Sequence, residues 1–423
     1  MDIDKAVHFL NSKSDAWEIF YEKDISKSIL VEKGNVKNIS EEEESGYAVR
    51  VIVDGRVGFA TSTDPARIIE VCEKALKLAK ISEEKLDDFP FSKCTQVEGI
   101  YDRRFDNVDS LWLEDAAGRM INAAMELKNV NPAQGAIEVS KSVTRILNSS
   151  GTDVENEATA CSAYLEVVIE DSSAYEMDQS RMLNLNLEFV GRHAAELAVE
   201  GVKAEKIEKG SYDVVLSPIA ISQLLYFALY PAFSAENVVK GRSMLAGKIG
   251  HEFGEFTLID DGRMPYGLMS SPFDDEGVET KRTVIFDDGV LKAYVSDFRH
   301  AKILGVEPTG NGFREEISSY PTTSPTNVIL DFRDKSSNIE ENALVVHSLI
   351  GAHTSNPVSG DFSLECMNAF LFTNGDRKPI KSAMIYGNVY DLLKRIEVFG
   401  KDVRQIDGTV TPSVRFRDVV VSG

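Results

Sequence analysis

The stretch MSSPFDDEGVETKRTVIFDDGVLKAYV, from Met269 to Val295, combines a β-hairpin signal with a concentration of carboxylates. A strand-like run covers residues 278–286, and a second run covers residues 290–295. Asp288-Gly289 separates the two runs and suits a type I′ turn, because both central residues of that turn need a positive φ. The stretch therefore predicts a β-hairpin in a part of the chain that is rich in short strands.

Three consecutive carboxylates, Asp274, Asp275 and Glu276, precede this hairpin, and we refer to them as the carboxylate triplet. Paired carboxylates can perform general acid–base chemistry. Aspartates in turns also accept hydrogen bonds from nearby backbone N–H groups. The sequence places no metal ligand or nucleophile beside the triplet, so it favours the structural role.

The composition is that of an ordinary globular protein, with 423 residues, 43% hydrophobic and 27% charged. A formal net charge of −22 argues against a nucleic-acid-binding surface, which needs clustered Lys and Arg. Four scattered cysteines indicate reduced thiols rather than a disulfide framework. With no membrane-spanning apolar run and no signal-peptide pattern, the sequence predicts a cytoplasmic protein without a membrane partner.

The predicted fold class is α+β, with a mixed α/β amino-terminal half over residues 1–208. Asp64-Pro65 marks the start of one helix, and Asp109 caps a second helix that begins at Ser110. Polar residues 81–105 mark a sub-boundary, and we expect two sheets with one long helix each. The acidic run Glu41–Glu44 is predicted to be a solvated strand end or loop.

Residues 209–423 are predicted to form a large antiparallel β-rich domain, either a curled sheet or a barrel. Largely apolar residues 219–230 indicate one helix, and residues 390–398 a second. The candidate strands cover residues 256–260, 278–286, 290–295, 327–330, 344–349, 368–372, 383–386 and 414–421.

An ordered set of short motifs resembles the TldD/PmbA family and spans nearly the whole chain. Each motif is weak alone, and the order of the set carries the resemblance. The motifs are Asn148-Ser149-Ser150-Gly151, the helix from Gly191 to Ala195, Pro272-Phe273-Asp274-Asp275-Glu276-Gly277, Asp288-Gly289-Val290-Leu291, Gly305, Thr309-Gly310, Ser359-Gly360-Asp361-Phe362-Ser363, Asn374-Gly375, Gly387-Asn388, Asp391 and Val420-Val421-Ser422-Gly423.

The resemblance implies either a zinc metallopeptidase subunit of the TldD type or its PmbA-like (TldE-like) partner. Catalytic members carry H-E-x-x-x-H in the helix after the first strand of the carboxy-terminal domain, and a cysteine near the end, which together bind zinc. In this chain Tyr226 and Pro231 stand near the two histidine positions, and Phe227 near the glutamate. Residues 405–409 contain no cysteine. The resemblance therefore implies a partner subunit without catalytic residues or a cofactor of its own, with zinc on a TldD-type subunit.

One alternative metal site remains open at His251 and Glu255, with Glu252 as a base between them. If this segment were helical, His251 and Glu255 would share a face, as the ligands of zincins do. Gly250 and Gly254 disfavour a helix, so a strand entry with solvated charges is the competing interpretation.

Other candidate residues have simpler explanations. His193 lies on a helix and is predicted to be a structural histidine. Thr309 and Asn311 belong to the glycine-rich segment 305–312, which is predicted to be a mobile surface loop near the peptide cavity of the family. Asp361 and the carboxylate triplet complete the candidates for the peptide chamber or for structural motifs.

Three functions follow from these observations. The favoured function is a non-catalytic subunit that forms a heterodimer with a TldD-type peptidase and holds unfolded peptide in extended form against a sheet edge. The first alternative is a stand-alone homodimeric metal-dependent peptidase. The second is a non-catalytic peptide- or toxin-binding protein.

Overall fold

The computed structural model describes residues 2–331 and 333–423. The amino-terminal half contains one six-stranded antiparallel sheet, in the order β3-β2-β1-β4-β5-β6. Its strands are β1 (Ala16–Glu32), β2 (Asn35–Val53), β3 (Arg56–Ser62), β4 (Asn131–Asn148), β5 (Asp153–Ile169) and β6 (Ser172–Ser180). Its helices are α1 (Asp2–Asn11), α2 (Ile68–Ala79), α3 (Ser110–Met125) and α4 (Leu187–Glu200).

The prediction of two separate sheets is wrong, because β1 is a single long strand that passes both helix pairs. Near its start, Ile19 packs in the cluster formed by α1 and α2. Near its end, Ile29 packs in the cluster formed by α3 and α4. One continuous sheet therefore carries two hydrophobic cores.

The acidic run Glu41–Glu44 is also different from its prediction. It lies within β2, where these residues pair in register with residues 24–27 of β1. All four side chains are exposed, and Lys23 forms a 2.7 Å ion pair with Glu43. The run is therefore the middle of a strand that is solvated on both sides of the sheet, not a strand end or a loop.

The predicted helix starts are confirmed. The Asp64 side chain accepts a hydrogen bond from Ala66 N at 3.0 Å, and a 3₁₀ turn (Pro65–Arg67) leads into α2. The Asp109 side chain accepts from Trp112 N at 2.9 Å and caps α3. Both caps satisfy backbone N–H groups that have no partner inside the helix.

The carboxy-terminal half is β-rich, as predicted. Its strands are β7 (Glu205–Lys206), β8 (Gly210–Leu216), β9 (Thr257–Asp261), β10 (Arg282–Asp287), β11 (Val290–Leu291), β12 (Gly312–Phe313), β13 (Thr322–Thr323), β14 (Val328–Asp331), β15 (Leu344–Ile350), β16 (Asp361–Thr373), β17 (Asp376–Lys381), β18 (Met384–Asn388), β19 (Ile396–Phe399), β20 (Arg404–Ile406), β21 (Thr409–Thr411) and β22 (Val414–Ser422). Its helices are α5 (Pro218–Ala228), α6 (Ala235–Val239), α7 (Phe298–Leu304) and α8 (Val389–Leu393), with 3₁₀ turns at Tyr230–Phe233 and Ala352–Thr354.

Five of these strands close into a small barrel, which agrees with the predicted barrel. Around the ring, β8 pairs with β22, β22 with β18, β18 with β16, β16 with β15, and β15 with β8. The last pairing is parallel, whereas the others are antiparallel. A second, six-stranded sheet contains β9, β10, β11, β14, β20 and β21.

The hairpin that the sequence predicts at Asp288-Gly289 is present between β10 and β11. Asp288 has φ 48° and Gly289 has φ 75°, as a type I′ turn requires. The helix predicted over residues 390–398 is shorter than expected, because α8 ends at Leu393 and β19 follows. Within the described residues, no helix is long and apolar enough to span a bilayer.

Candidate functional site

The carboxylate triplet lies in a tight turn that is buried between the two halves of the chain. Asp274 is 0% exposed, and its Oδ1 accepts hydrogen bonds from Glu276 N at 3.0 Å and Val278 N at 2.9 Å. Its Oδ2 accepts from Gly312 N at 2.8 Å. Three backbone N–H groups therefore occupy this carboxylate, which holds the turn in shape.

Glu276 joins the turn to the amino-terminal sheet through a buried arginine. Arg50 Nη1 donates to Glu276 Oε1 at 2.9 Å, while its Nε and Nη2 donate to both oxygens of Glu18 at 2.8 and 2.7 Å. Burial alone would lower the pKa of Arg50, but Glu18 and Glu276 raise it. The guanidinium therefore stays charged and binds two carboxylates from different halves of the chain.

Asp275 completes the same buried network through a second arginine. Its Oδ2 accepts from Arg314 N at 2.7 Å, and the Arg314 guanidinium lies 4.8 Å from the Phe20 ring centroid. Burial raises the pKa of Asp275 to about 6, although Arg314 opposes the shift. Asp274 and Asp275 therefore hold the turn within the carboxy-terminal half, and Glu276 joins that turn to the amino-terminal sheet.

Thr309 and Asn311 are held by hydrogen bonds rather than exposed. The prediction of a mobile surface loop over residues 305–312 is therefore wrong for the second part of that segment, residues 309–312. Thr309 Oγ1 accepts from Ser296 N and donates to Asn311 Oδ1, both at 2.6 Å. Asn311 is buried, and its Nδ2 donates to Asp260 Oδ2 at 2.8 Å. The segment therefore fixes Asp260, a buried carboxylate whose pKa burial raises to about 6.

Asp361 has a local role at the start of β16. Its Oδ1 accepts from Asn388 Nδ2 at 2.9 Å, and its Oδ2 accepts from Ser359 Oγ at 2.7 Å. These hydrogen bonds hold the pKa of Asp361 below its usual value. Asn388 in turn caps α8, so Asp361 ties the turn before β16 to that helix.

A cavity of about 550 Å³ lies beside α5, and we call it the aromatic cavity. It is bounded by α5 with the following 3₁₀ turn, by residues 323–326, by residues 353–357 and by Asp407 with Gly408. Its lining includes Tyr226, Phe227, Tyr230, Pro231, Pro325, Pro357, His353, Ser355 and Asp407. The structure therefore brings together the segment 226–231 and the segment 405–409, which the family resemblance associates with zinc.

The aromatic wall follows from the local sequence of α5. Ser217 Oγ accepts from Ile219 N at 3.1 Å and caps the helix, and Pro218 occupies its first turn. The Tyr226 ring lies 4.9 Å from Phe227 and 6.1 Å from Tyr230, both in edge-on contacts. Tyr226 is nevertheless 58% exposed, because it projects from a helix that is otherwise mostly buried.

Two polar side chains give the aromatic cavity its chemical character. Ser355 is only 6% exposed, and its Oγ has no hydrogen-bond partner among the described residues. Asp407 is exposed, and its Oδ1 accepts from Gln179 Nε2 at 2.9 Å. Gln179 belongs to β6, so the amino-terminal sheet fixes the carboxylate at the rim of the cavity.

The alternative metal pair at His251 and Glu255 lacks the helix that it needs. Glu252 forms an isolated bridge with Val290, and Gly254 has φ 140°, so the segment is irregular and partly extended. Both candidate ligands are exposed, and Glu255 lies 3.4 Å from Arg333. This geometry agrees with the other interpretation of the segment, a strand entry with solvated charges.

A different group of ligand-type side chains, Glu236, Asp297 and His300, has its candidate atoms within 4.8 Å of one another. Asp297 caps α7 by accepting from His300 N at 2.8 Å, and its Oδ2 lies 2.6 Å from His300 Nδ1 and also bonds Thr323. Glu236 is paired with Lys240. Protein partners already account for each carboxylate, so we interpret the group as a helix cap.

Sequence reasoning missed a second buried ion cluster between the two halves. Glu176 on β6 is 0% exposed and lies 2.6 Å from His193 Nδ1 and 3.0 Å from Arg404 Nη2. Burial would raise the pKa of Glu176, but His193, His347 and Arg404 outweigh it and lower the pKa to about 2. His193 therefore has a structural partner, and its position on α4 was the only sequence signal for this cluster.

Family models match three segments of the chain. Residues 17–79 match the PmbA/TldA metallopeptidase domain 1, residues 103–202 the central domain, and residues 209–423 the C-terminal domain. A Methanocaldococcus jannaschii protein of uncharacterized function is 33% identical to this chain over 426 residues. The alignment covers 100% of both chains.

Solved structures share the fold over the full length of the chain. The crystal structure of TldE from Thermococcus kodakarensis has a TM-score of 0.93 at 29% identity, with 100% of both chains covered. A Thermotoga maritima protein described as a candidate modulator of a DNA gyrase has a TM-score of 0.92 at 26% identity, with 99% of both chains covered.

Proposed function

Because this chain belongs to the PmbA/TldD metallopeptidase family, we propose that it is a PmbA/TldE-like subunit that works without a metal of its own. The observation that carries the proposal is the lining of the aromatic cavity. Tyr226, Phe227 and Pro231 stand near the positions where catalytic relatives hold their H-E-x-x-x-H motif, and none of the three has the imidazole or carboxylate that the zinc site requires. The similarity to TldE over the whole chain supports the same proposal.

The proposed partner is a TldD-type subunit that supplies zinc and performs cleavage in a heterodimer. Two apolar side chains that line the aromatic cavity remain exposed, Tyr226 at 58% and Met269 at 44%. Exposed apolar side chains gathered around a cavity are typical of surfaces that bind another molecule. In this proposal they contact the partner subunit or the peptide that it cleaves.

The role of this chain in the complex is to bind the substrate, an unfolded peptide, and hold it extended toward the zinc of the partner. Positioning alone can contribute strongly to catalysis, because it converts the encounter of two reactants into a step within one complex. The buried ion clusters at Arg50 and Glu176 support this role, since they fix the two halves that meet beside the cavity.

The decisive experiment compares the purified chain, a TldD-type subunit and the two together. We expect no stoichiometric zinc and no peptide cleavage from this chain alone. The mixture should form a heterodimer in light scattering, contain stoichiometric zinc and cleave an unfolded peptide in a chelator-sensitive manner. The His251→Ala variant should behave as the parent chain in every assay.

Two other outcomes correspond to the alternatives. Stoichiometric zinc on this chain alone, with cleavage that a chelator abolishes, would establish a stand-alone homodimeric metallopeptidase. Peptide binding with no heterodimer and no cleavage in any combination would instead favour a non-catalytic peptide- or toxin-binding protein.

A further inference from the structure

The aromatic cavity has features of a site that recognises one particular kind of side chain. Resting on the proposed function, we propose that it binds a large apolar side chain of the peptide, beside a positive charge on the same peptide. The apolar side chain contacts the aromatic wall of α5, and the positive charge pairs with Asp407. The proposal names a specificity that peptide binding alone does not require.

The cavity has room for a large apolar side chain, and its lining suits one. Its volume of about 550 Å³ falls in the range of small-ligand sites. Tyr226, Phe227 and Tyr230 form one wall, and Pro325 and Pro357 lie on the other segments that bound the cavity. Aromatic rings bury a large area and favour edge-on or offset contact with another ring. An aromatic or long aliphatic side chain therefore gains more from this cavity than a small or charged one.

The backbone of the walls offers the peptide few hydrogen-bond donors. Ser324 N donates to Asn311 O at 2.8 Å, and Thr326 N donates to Asp260 Oδ1 at 2.5 Å. Pro325 has no N–H to donate. Across the cavity, Ser355 N donates to Ala352 O at 3.0 Å. Strand addition depends on free main-chain groups, and none of these three N–H groups is free to donate to a peptide.

Two polar groups set the remaining chemistry of the ligand. The Ser355 hydroxyl is buried and unpartnered within the described residues, and a buried polar atom without a partner is costly. The Oγ is closed to solvent in this conformation, so the Ser355 side chain must turn toward the cavity before a peptide carbonyl or amide can satisfy it. Asp407 lies exposed at the rim, where its carboxylate attracts a cation, and the net charge of −22 acts in the same direction.

The test measures the affinity of short amidated peptides by calorimetry, for the chain alone and for its heterodimer. The peptides carry a single Phe, Leu, Ala or Asp in an otherwise glycine-rich sequence. Each is made with a free amino terminus, with an acetylated terminus, and with an acetylated terminus plus one Lys. These forms distinguish an amino-terminal ammonium from a lysine as the source of the positive charge.

We expect the Phe and Leu peptides to bind at least about tenfold more tightly than the Ala and Asp peptides. Tyr226→Ala should remove most of this preference. Asp407→Asn keeps an oxygen for Gln179 and should weaken only the cationic peptides, by about two- to fivefold, as expected for an exposed ion pair. Tyr164→Ala is the control, since the Tyr164 side chain is 40% exposed, compared with 58% for Tyr226, and lies on β5, outside the cavity lining.

Equal affinity for all four peptides, or variants that leave the preference unchanged, would overturn this inference. Undetectable peptide binding would overturn it as well. The proposed function is judged separately by zinc content, heterodimer formation and cleavage, so failure of the side-chain preference leaves those results standing.

Discussion

The carboxylate triplet and the aromatic cavity lie in the same half of the chain, but they differ in how their polar atoms are satisfied. In the triplet, Asp274 accepts three backbone hydrogen bonds and Glu276 pairs with Arg50. In the cavity, the Ser355 hydroxyl has no partner among the described residues, and Asp407 is exposed. A site for a ligand needs such spare capacity, whereas the Asp274 and Glu276 carboxylates are already occupied by donors of the protein.

This difference separates residues that hold the fold from residues that can bind. The triplet is the part of the sequence that most suggests chemistry, but its carboxylates form hydrogen bonds and ion pairs within the protein. The cavity is unremarkable in sequence because its wall consists of tyrosine, phenylalanine and proline.

Arg50→Met should destabilise the protein by about 3–5 kcal/mol, because it leaves Glu276 buried without its cation and leaves Glu18 with only Arg314, at 3.5 Å. Urea unfolding monitored by circular dichroism measures the loss. Arg333→Ala is the control, since its ion pairs with Glu255 and Asp288 are exposed and should contribute less than about 1 kcal/mol. A loss of similar size in both variants would contradict the structural role of the triplet.

Asp274→Asn should cost about 1–3 kcal/mol, because an amide group would turn one N–H donor toward a backbone N–H. The same urea experiment applies. Asp288→Asn makes the same chemical change in an exposed type I′ turn, where Asn is well tolerated, and should cost less than about 1 kcal/mol. Equal costs would mean that Asp274 is not held by its three donors.

Stability should fall as pH rises from about 4.5 to about 7, and Glu22 should account for part of the fall. Burial and the nearby Asp275 raise the pKa of Glu22 from 4.5 to about 7. The folded state therefore binds more protons than the unfolded state across this window, and that stabilisation is lost as pH rises through the folded pKa. Asp275 and Asp260, whose pKa values burial raises to about 6, act in the same direction.

The Glu22→Gln variant tests this assignment with urea unfolding at pH 5 and pH 8. Because the neutral amide does not titrate, the decrease in unfolding free energy between the two pH values should be smaller than in the parent protein. A decrease of the same size in the variant would show that Glu22 does not contribute.

Tyr226→Ala should have the smallest effect on stability, within about 0.5 kcal/mol, because its side chain is 58% exposed. The same change should reduce binding of the Phe peptide strongly. A variant that lost both stability and peptide binding would show that Tyr226 stabilises the fold, as Arg50 does, and would contradict a role in binding alone.

Local features of the fold could be predicted from the sequence because they depend on neighbouring residues. Asp64 and Asp109 cap their helices, and Asp288-Gly289 forms its turn, since each needs only a few adjacent side chains. The strand periodicity likewise identified half of the strands of the carboxy-terminal half, such as β15 and β22, and missed short ones such as β12 and β13. The single amino-terminal sheet was missed because a polar stretch in the middle of β1 and β2 resembles a break between strands.

The long-range contacts could not be predicted from one sequence. Arg50 and Glu276 are 226 positions apart, and Glu176 and Arg404 are 228 positions apart. Nothing near Arg50 in the chain indicates which carboxylate it binds. The cavity is similar, because Tyr226, Ser355 and Asp407 become neighbours only when the barrel and the second sheet pack together.

The closed barrel has a consequence for how the protein is made. Its strand β8 pairs with β22, which follows about 200 residues later, and ribosomes add roughly 5–20 residues per second. The segment from Gly210 to Leu216 therefore waits roughly 10–40 s on the ribosome before its neighbour exists. The sheet from β1 to β6 is complete much earlier, at Ser180. We expect the nascent chain to fold its first half during synthesis and to need protection from aggregation until the final strand emerges.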